Sequence, residues 1–414
     1  MSGRQKITLK QSILVWGTGD IYFIFAVMIS VLFSVLSPDI QNQLRLSNTQ
    51  LGLLGTAFFL CYGVAQLFTG RLFDLIGPKI TLAGSAFISA LGLILMAASQ
   101  GFGMAITAKI ITGFGLSTSY IGAIYLANTW FPEERFALIS GITQMSSNIL
   151  TAMLVIILAL TGMFMSFRPM MVYLAILMVV IAVLIIIFVH QAPKDTSSEE
   201  LSKSLHFFES FCQLIKIKQF CLGTVYFSVG FGVLLTLSDL WNIPTQIAYH
   251  HSVNTSAMMN SMFPLGGGIG ALVAGWMADY LKKPSKAAQF FITGMVLFCG
   301  FVFYGPDFTI KTSFFLLFIL GFFLGGTVLG FSIVGQYLPE TLKGMAFGFM
   351  AMVAYLISSF LQYFVGLLLS EYHTSSSINT IHDFKIALTP LFITLMIGWF
   401  VSLWLKDNIN QEDN

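Results

Sequence analysis

Apolar residues run along this chain in long blocks, each closed by a short polar, glycine- or proline-bearing segment. A membrane-crossing helix needs roughly 20 apolar residues. Twelve blocks meet that length, at 12–37, 50–72, 79–98, 103–129, 136–162, 169–190, 218–247, 255–281, 287–304, 312–337, 344–370 and 384–405. The long polar stretch at 191–217 separates six blocks in 1–190 from six in 218–414. Inside that stretch Leu201, Leu205, Phe208, Cys212 and Ile215 recur at four-and-three spacing. The spacing predicts either an amphipathic linker helix on the cytoplasmic membrane surface or a plain tether between halves.

The halves repeat. Pro38 maps to Pro244 and Asn48-Thr49 to Asn254-Thr255 at an offset of 206; Gly70 and Asp74 map to Gly275 and Asp279 at 205. Pro132-Glu133 maps to Pro339-Glu340, and Gly141 to Gly348, at 207. A near-constant offset of half the chain predicts parallel repeats about an axis along the membrane normal. The fold class is therefore an all-α membrane protein of twelve transmembrane helices in two pseudo-symmetric six-helix halves.

Composition agrees. Charged residues are 9% of the chain and hydrophobic ones 56%, against about 25% charged in soluble domains. With the N-terminus cytoplasmic, fifteen of the 20 Lys and Arg residues fall inside and four (Arg45, Arg168, Lys311, Lys385) outside. That satisfies the positive-inside rule and puts both termini in the cytoplasm. The basic N-terminus leads into a full-length span without a small-residue cleavage site, so it reads as an uncleaved first helix. Four scattered cysteines suggest no disulfide framework. No nucleophile–base pattern, phosphate loop or metal cluster stands out, so no enzyme, cofactor, metal or nucleic-acid role is expected. His250 and His251 read as polar loop residues.

Three stretches carry a family likeness. One is Gly70-Arg71-Leu72-Phe73-Asp74-Leu75-Ile76-Gly77-Pro78-Lys79, whose two glycines are expected to allow a tight turn and close helix approach. The second is Lys109-Ile110-Ile111-Thr112-Gly113-Phe114-Gly115, and the third Trp130-Phe131-Pro132-Glu133-Glu134-Arg135-Phe136-Ala137. Gly275-Trp276-Met277-Ala278-Asp279, with Lys282 and Lys283, is a weaker copy of the first. Together they resemble the major facilitator superfamily, nearest in flavour to bacterial metabolite and organic-anion permeases. Leu75 stands where the family usually has a base, and Lys109 where it usually has arginine. The resemblance implies a conformational latch of Gly70, Arg71, Asp74, Gly77, Lys79, Arg135 and Asp279. In it Asp74 faces the start of the eleventh helix, and Asp279 the start of the fifth.

Lone charges inside apolar blocks point to chemistry, because charge in hydrocarbon is expensive and normally faces a wet cavity or a partner. Asp20 reads as a proton-coupling carboxylate or a structural acid near the inner interface. Lys109 reads as a cation that attracts an anionic substrate, or as a lysine snorkelling to the outer interface. Gly141, Gln144 and Asn148 share one face of the fifth block; Gly348, Ala351 and Tyr355 are their repeat partners, with Ser359 and Gln362 continuing the stripe. These side chains line a polar cavity or bond between helices. Tyr22 and Tyr226 are further cavity candidates, Tyr226 being the repeat partner of Asp20. Asp239, Trp241 and Asn242, just before Pro244, form an outer gate or a ragged helix end with an interfacial tryptophan. The phenylalanines are read mostly as lipid-facing bulk.

The expected function is proton-coupled uptake of a small anionic or zwitterionic metabolite across the cytoplasmic membrane, by a monomer working through alternating access. A drug or metabolite exporter and a non-transporting receptor or scaffold are the alternatives.

Overall fold

The computed structural model describes residues 8–161, 166–190, 207–371 and 379–407. Secondary structure there is helical. Twelve helical stretches are long and apolar enough to cross a membrane, matching the twelve blocks in order.

In the first half, α1 is Leu9–Leu44, α2 Asn48–Ile76, α3 Pro78–Ala98, α4 Phe102–Leu116, α5 Thr118–Trp130, α6 Glu133–Thr161 and α7 Phe167–Phe188. The linker contributes α8, Phe207–Lys216. In the second half α9 is Lys218–Thr236, followed by a π turn Leu237–Trp241 and α10, Asn242–Ala248. Then come α11 Val253–Asn260, α12 Met262–Leu281, α13 Pro284–Tyr304 and α14 Ile310–Leu324. A 3₁₀ turn Gly325–Val328, α15 Leu329–Gly335, α16 Glu340–Glu371, α17 Ile381–Ala387 and α18 Thr389–Ser402 complete the chain. The fourth span is thus α4 with α5, the seventh α9 through α10, and the tenth α14 through α15.

Two compact units form. One is Met1–Leu46, Ala57–Leu154 and Phe164–Leu205; the other is Ser47–Thr56, Val155–Met163 and His206–Asn414. Inside the first, α3 packs on α4 and α7, and α1 on α5 and α7. Inside the second, α13 packs on α14 and α18, and α9 on α16 and α18.

Several boundaries differ from the sequence expectation, each for a physical reason. The first helix does not stop at Pro38 but runs on to Leu44. The Asp39 carboxylate instead closes the start of α7, accepting from the Phe167 amide at 2.7 Å and Ser166 Oγ at 3.0 Å. An anion suits that helix end. Pro244, in the same register of the second half, is accommodated differently. A proline cannot donate to the carbonyl four residues back, and the turn before it widens so that the Asn242 amide bonds Leu237 O.

The fourth span, expected to be continuous, breaks at Ser117. Three successive carbonyls at the break are taken up by hydroxyls, each at 2.7 Å: Phe114 O by Ser117 Oγ, Gly115 O by Tyr22 OH and Leu116 O by Ser119 Oγ. Of the two glycines in the loop motif only Gly77 turns the chain, with φ 81°; Gly70 is inside α2. In the second copy Lys282 takes the corresponding place and adopts a left-handed φ of 51°. The linker helix meets the rest of the protein through a residue outside the stripe expected to face the membrane. Its buried anchor is Leu214, packed in a core with Phe220, Phe227 and Met350, whereas Cys212 and Ile215 on the expected stripe are exposed. Leu201, Leu205 and the side chain of Phe208 lie outside the described residues.

Candidate functional site

Among its described residues the first unit holds two buried charges. Asp20, on α1, is 6% exposed. Its Oδ2 accepts a 2.9 Å hydrogen bond from Ser146 Oγ on α6, while Oδ1 is buried without a hydrogen-bond partner. One turn earlier on α1, Trp16 Nε1 donates to Thr143 Oγ1 at 3.1 Å. Two bonds thus tie α1 to α6 around the carboxylate. Thr143 and Ser147 on this face are fully buried. A buried acceptor with no partner carries a desolvation penalty of about 1–3 kcal/mol.

Lys109, on α4, is likewise 6% exposed. It does not snorkel. Its Nζ sits over the Phe33 ring of α1, 3.5 Å from the centroid, and 4.5 Å from that of Phe58 on α2. Buried cation–π contacts of this kind are worth about 2 kcal/mol. The glycines of the Lys109 motif set the close packing of its helix, Gly113 against Phe58 on α2 and Gly115 against α3. A β-carbon at Gly113 would lie 2.5 Å from Phe58 O, and one at Gly115 would lie 2.5 Å from Ser89 Oγ on α3. Both positions therefore require glycine for close helix approach.

The other candidates are distributed as follows. Tyr22 and Tyr226 line no open space; both are fully buried. Tyr226 OH donates to Gly326 O at 2.9 Å, at the break of the tenth span. Its role therefore matches that of Tyr22 at the fourth-span break rather than that of Asp20. On α6 Gly141 has open space where a side chain would go. Gln144 is exposed and Asn148 half-buried. Asp20 meets the neighbouring hydroxyl face of α6, not this stripe. On α16 Tyr355 is half-buried and edge-on to Phe231. Gln362 is 1% exposed; its backbone oxygen accepts from Trp241 Nε1 at 3.1 Å, and its Oε1 has no hydrogen-bond partner.

The π turn is a buried polar knot in the second unit. Trp241 is 1% exposed, which rules out the interfacial-tryptophan alternative. Ser238 Oγ donates to Asp239 Oδ1 at 2.7 Å, Asn242 Nδ2 to Asn260 Oδ1 at 3.0 Å, and Asn260 Nδ2 to Ser238 O at 2.7 Å. Of the latch residues, Gly77 is buried, Lys79 half-buried, and Arg135 and Asp279 exposed. The side chains of Gly70, Arg71 and Asp74 lie outside the described residues.

Sequence reasoning missed Phe33, Phe58, Thr143, Ser146 and Gln66, whose buried Nε2 also has no hydrogen-bond partner. A hydroxyl count on the face of α6 beside Gln144 would have found Thr143 and Ser146. The two phenylalanines carry no such mark.

A sequence profile described as Major Facilitator Superfamily matches residues 21–363. Among characterised relatives, a "Probable L-galactonate transporter" of Escherichia coli is 26% identical over 70% of this chain and 69% of its own length. A "Hexuronate transporter" of Bacillus subtilis is 24% identical over 64% of each, so the chain spans under two thirds of that relative. The Escherichia coli "Membrane sensor protein UhpC" is 23% identical over 83% of this chain and 82% of its own. Among solved structures, a bacterial homologue of the human lysosomal transporter Spinster superposes with TM-score 0.77 at 12% identity, covering 96% of this chain and 98% of that one. A D-xylose-proton symporter gives 0.73 at 12% identity, over 97% and 98%. At such identity the likeness speaks to fold.

Proposed function

The chain belongs to the Major Facilitator Superfamily, and from that premise we propose that it takes up a small anionic or zwitterionic metabolite, driven by protons. The family makes it a multi-pass membrane transporter, not an enzyme. The observation that carries the finer reading is the pair of buried charges in one six-helix half: an ammonium against two rings and a carboxylate with one oxygen unpartnered. Charges kept at membrane depth mark substrate and ion paths. Lys109 attracts the anion; Asp20 takes a proton on one side and releases it on the other. Relatives named for galactonate and hexuronate favour a sugar acid. Gln144, Asn148, Tyr355 and Gln362 supply polar contacts to the solute. Asp74 and Asp279, with Arg71, Lys79 and Arg135, latch the cytoplasmic side, and Asp239, Trp241 and Asn242 close the outer one. The protein works as a monomer in the cytoplasmic membrane with both termini inside.

The test is uptake of radiolabelled L-galactonate and D-glucuronate into proteoliposomes under an imposed inward proton gradient. Accumulation is expected to need the gradient. Asp20→Asn should retain exchange but lose gradient-driven accumulation, and Lys109→Met should lose both. Undiminished accumulation in Asp20→Asn would sink the coupling role. A second reading, a sensor that binds without carrying, is favoured by the likeness to UhpC over most of both chains. It predicts ligand-induced thermal stabilisation by mass action with no uptake. Export instead of uptake predicts that a deletion strain becomes drug-sensitive.

A further inference from the structure

We propose that Phe33 and Phe58 are positioning residues for anion binding: their ring faces hold the Lys109 ammonium at the place an arriving anion must reach. The inference rests on the reading of Lys109 as the anion's partner and adds to it the groups that make the lysine usable.

A lysine is a point charge on a flexible four-carbon stem, so it has no preferred place of its own. Here its Nζ stands 3.5 Å from one ring centroid and 4.5 Å from another. The rings come from α1 and α2 and are themselves buried, at 4% and 2% exposure. Gly113, one turn beyond Lys109, lets the α2 backbone approach closely enough to bring Phe58 beneath the ammonium. The faces of aromatic rings are negative and attract a cation. For the same reason they repel carboxylate and phosphate oxygens. The rings therefore fix both the height of the ammonium and the side from which an anion comes: away from Phe33 and Phe58.

A merely space-filling role is separable from this one. Phe33→Leu and Phe58→Leu keep apolar bulk and remove the ring face; Phe33→Trp keeps a ring face. Each is made in the full-length protein, alone and with Lys109→Met. Melting is followed in nanodiscs, and L-galactonate uptake in proteoliposomes. The leucine variants are expected to lower the melting temperature clearly when Lys109 is present and little when it is methionine, since coupled groups are non-additive. They should raise KM about thirtyfold with Vmax retained, the scale of one lost buried cation–π contact; Phe33→Trp should leave both melting and KM near those of the unaltered protein. Equal melting losses with and without Lys109 would overturn the proposal. So would an unchanged KM in both leucine variants when Lys109→Met abolishes uptake. Full uptake in Lys109→Met would instead remove the anion-binding reading, and the proposal with it. If L-galactonate is not carried at all, the melting comparison decides alone.

Discussion

Deleting one oxygen, by Tyr22→Phe, tests how the fourth span is held at its break. The ring is fully buried and stays so in the variant. What goes is the donor to Gly115 O, a 2.7 Å bond. Polar contacts inside bilayers average about 0.6 kcal/mol, whereas stranding a buried carbonyl costs about 1–3 kcal/mol. The second half holds a control. Tyr226 is equally buried and donates to Gly326 O at 2.9 Å, but that carbonyl also accepts from the Leu329 amide. Tyr226→Phe leaves it a backbone donor, so the loss should fall near the bilayer average. Tyr22→Phe is therefore expected to be the more destabilising by about 1 kcal/mol. The assay is denaturant or thermal unfolding of both variants in one detergent, compared as relative midpoints. Equal losses, or a larger one for Tyr226→Phe, would refute the claim that the Tyr22 hydroxyl completes the break.

Three further outcomes follow from local geometry. Lys282→Gly, at the left-handed C-cap of α12, should stabilise by up to about 1 kcal/mol, because glycine adopts that φ without a side-chain clash; a lower unfolding midpoint would contradict it. Asp39→Asn keeps an acceptor at the start of α7 but removes the negative charge, and should cost about 0.5–1 kcal/mol, less than Asp39→Ala. His251, outside the spans, has its pKa lowered by burial first and by His250 beside it second. The folded state then binds fewer protons there than the unfolded state, so this histidine's contribution to stability declines as pH falls from its ordinary value of 6.5 through the folded one; a histidine-resolved NMR titration should find its midpoint below 6.5.

What the chain's pattern revealed, and what it hid, divides along physical lines. Length and hydropathy exposed all twelve spans, because hydrocarbon thickness imposes a minimum block length. They concealed the break at Ser117. Hydroxyls of Ser117, Ser119 and Tyr22 satisfy the freed carbonyls there, so no run of polar residues announces it. Pro244 was visible as a disturbance, yet its accommodation by a π turn depends on the buried amides of Asn242 and Asn260, distant partners that spacing cannot pair. Asp20 and Lys109 were conspicuous as charges. Their surroundings were not: Phe33 and Phe58 are two of 41 phenylalanines, and reading the phenylalanines mostly as lipid-facing bulk overlooks the two that meet the cation. The hydroxyl face of α6 was missed because amides stand out in an apolar block and serines do not.

The broken fourth span carries a consequence for biosynthesis. α4 and α5 have 15 and 13 residues, so each is about 20 Å long, too short alone for a hydrocarbon core of about 30 Å. The 29 residues from Phe102 to Trp130 must therefore enter the membrane together. Tyr22 belongs to the first span and Gly115 to the fourth; Tyr226 belongs to the seventh and Gly326 to the tenth. In both halves the ribosome delivers the hydroxyl three crossings before the carbonyl it will serve.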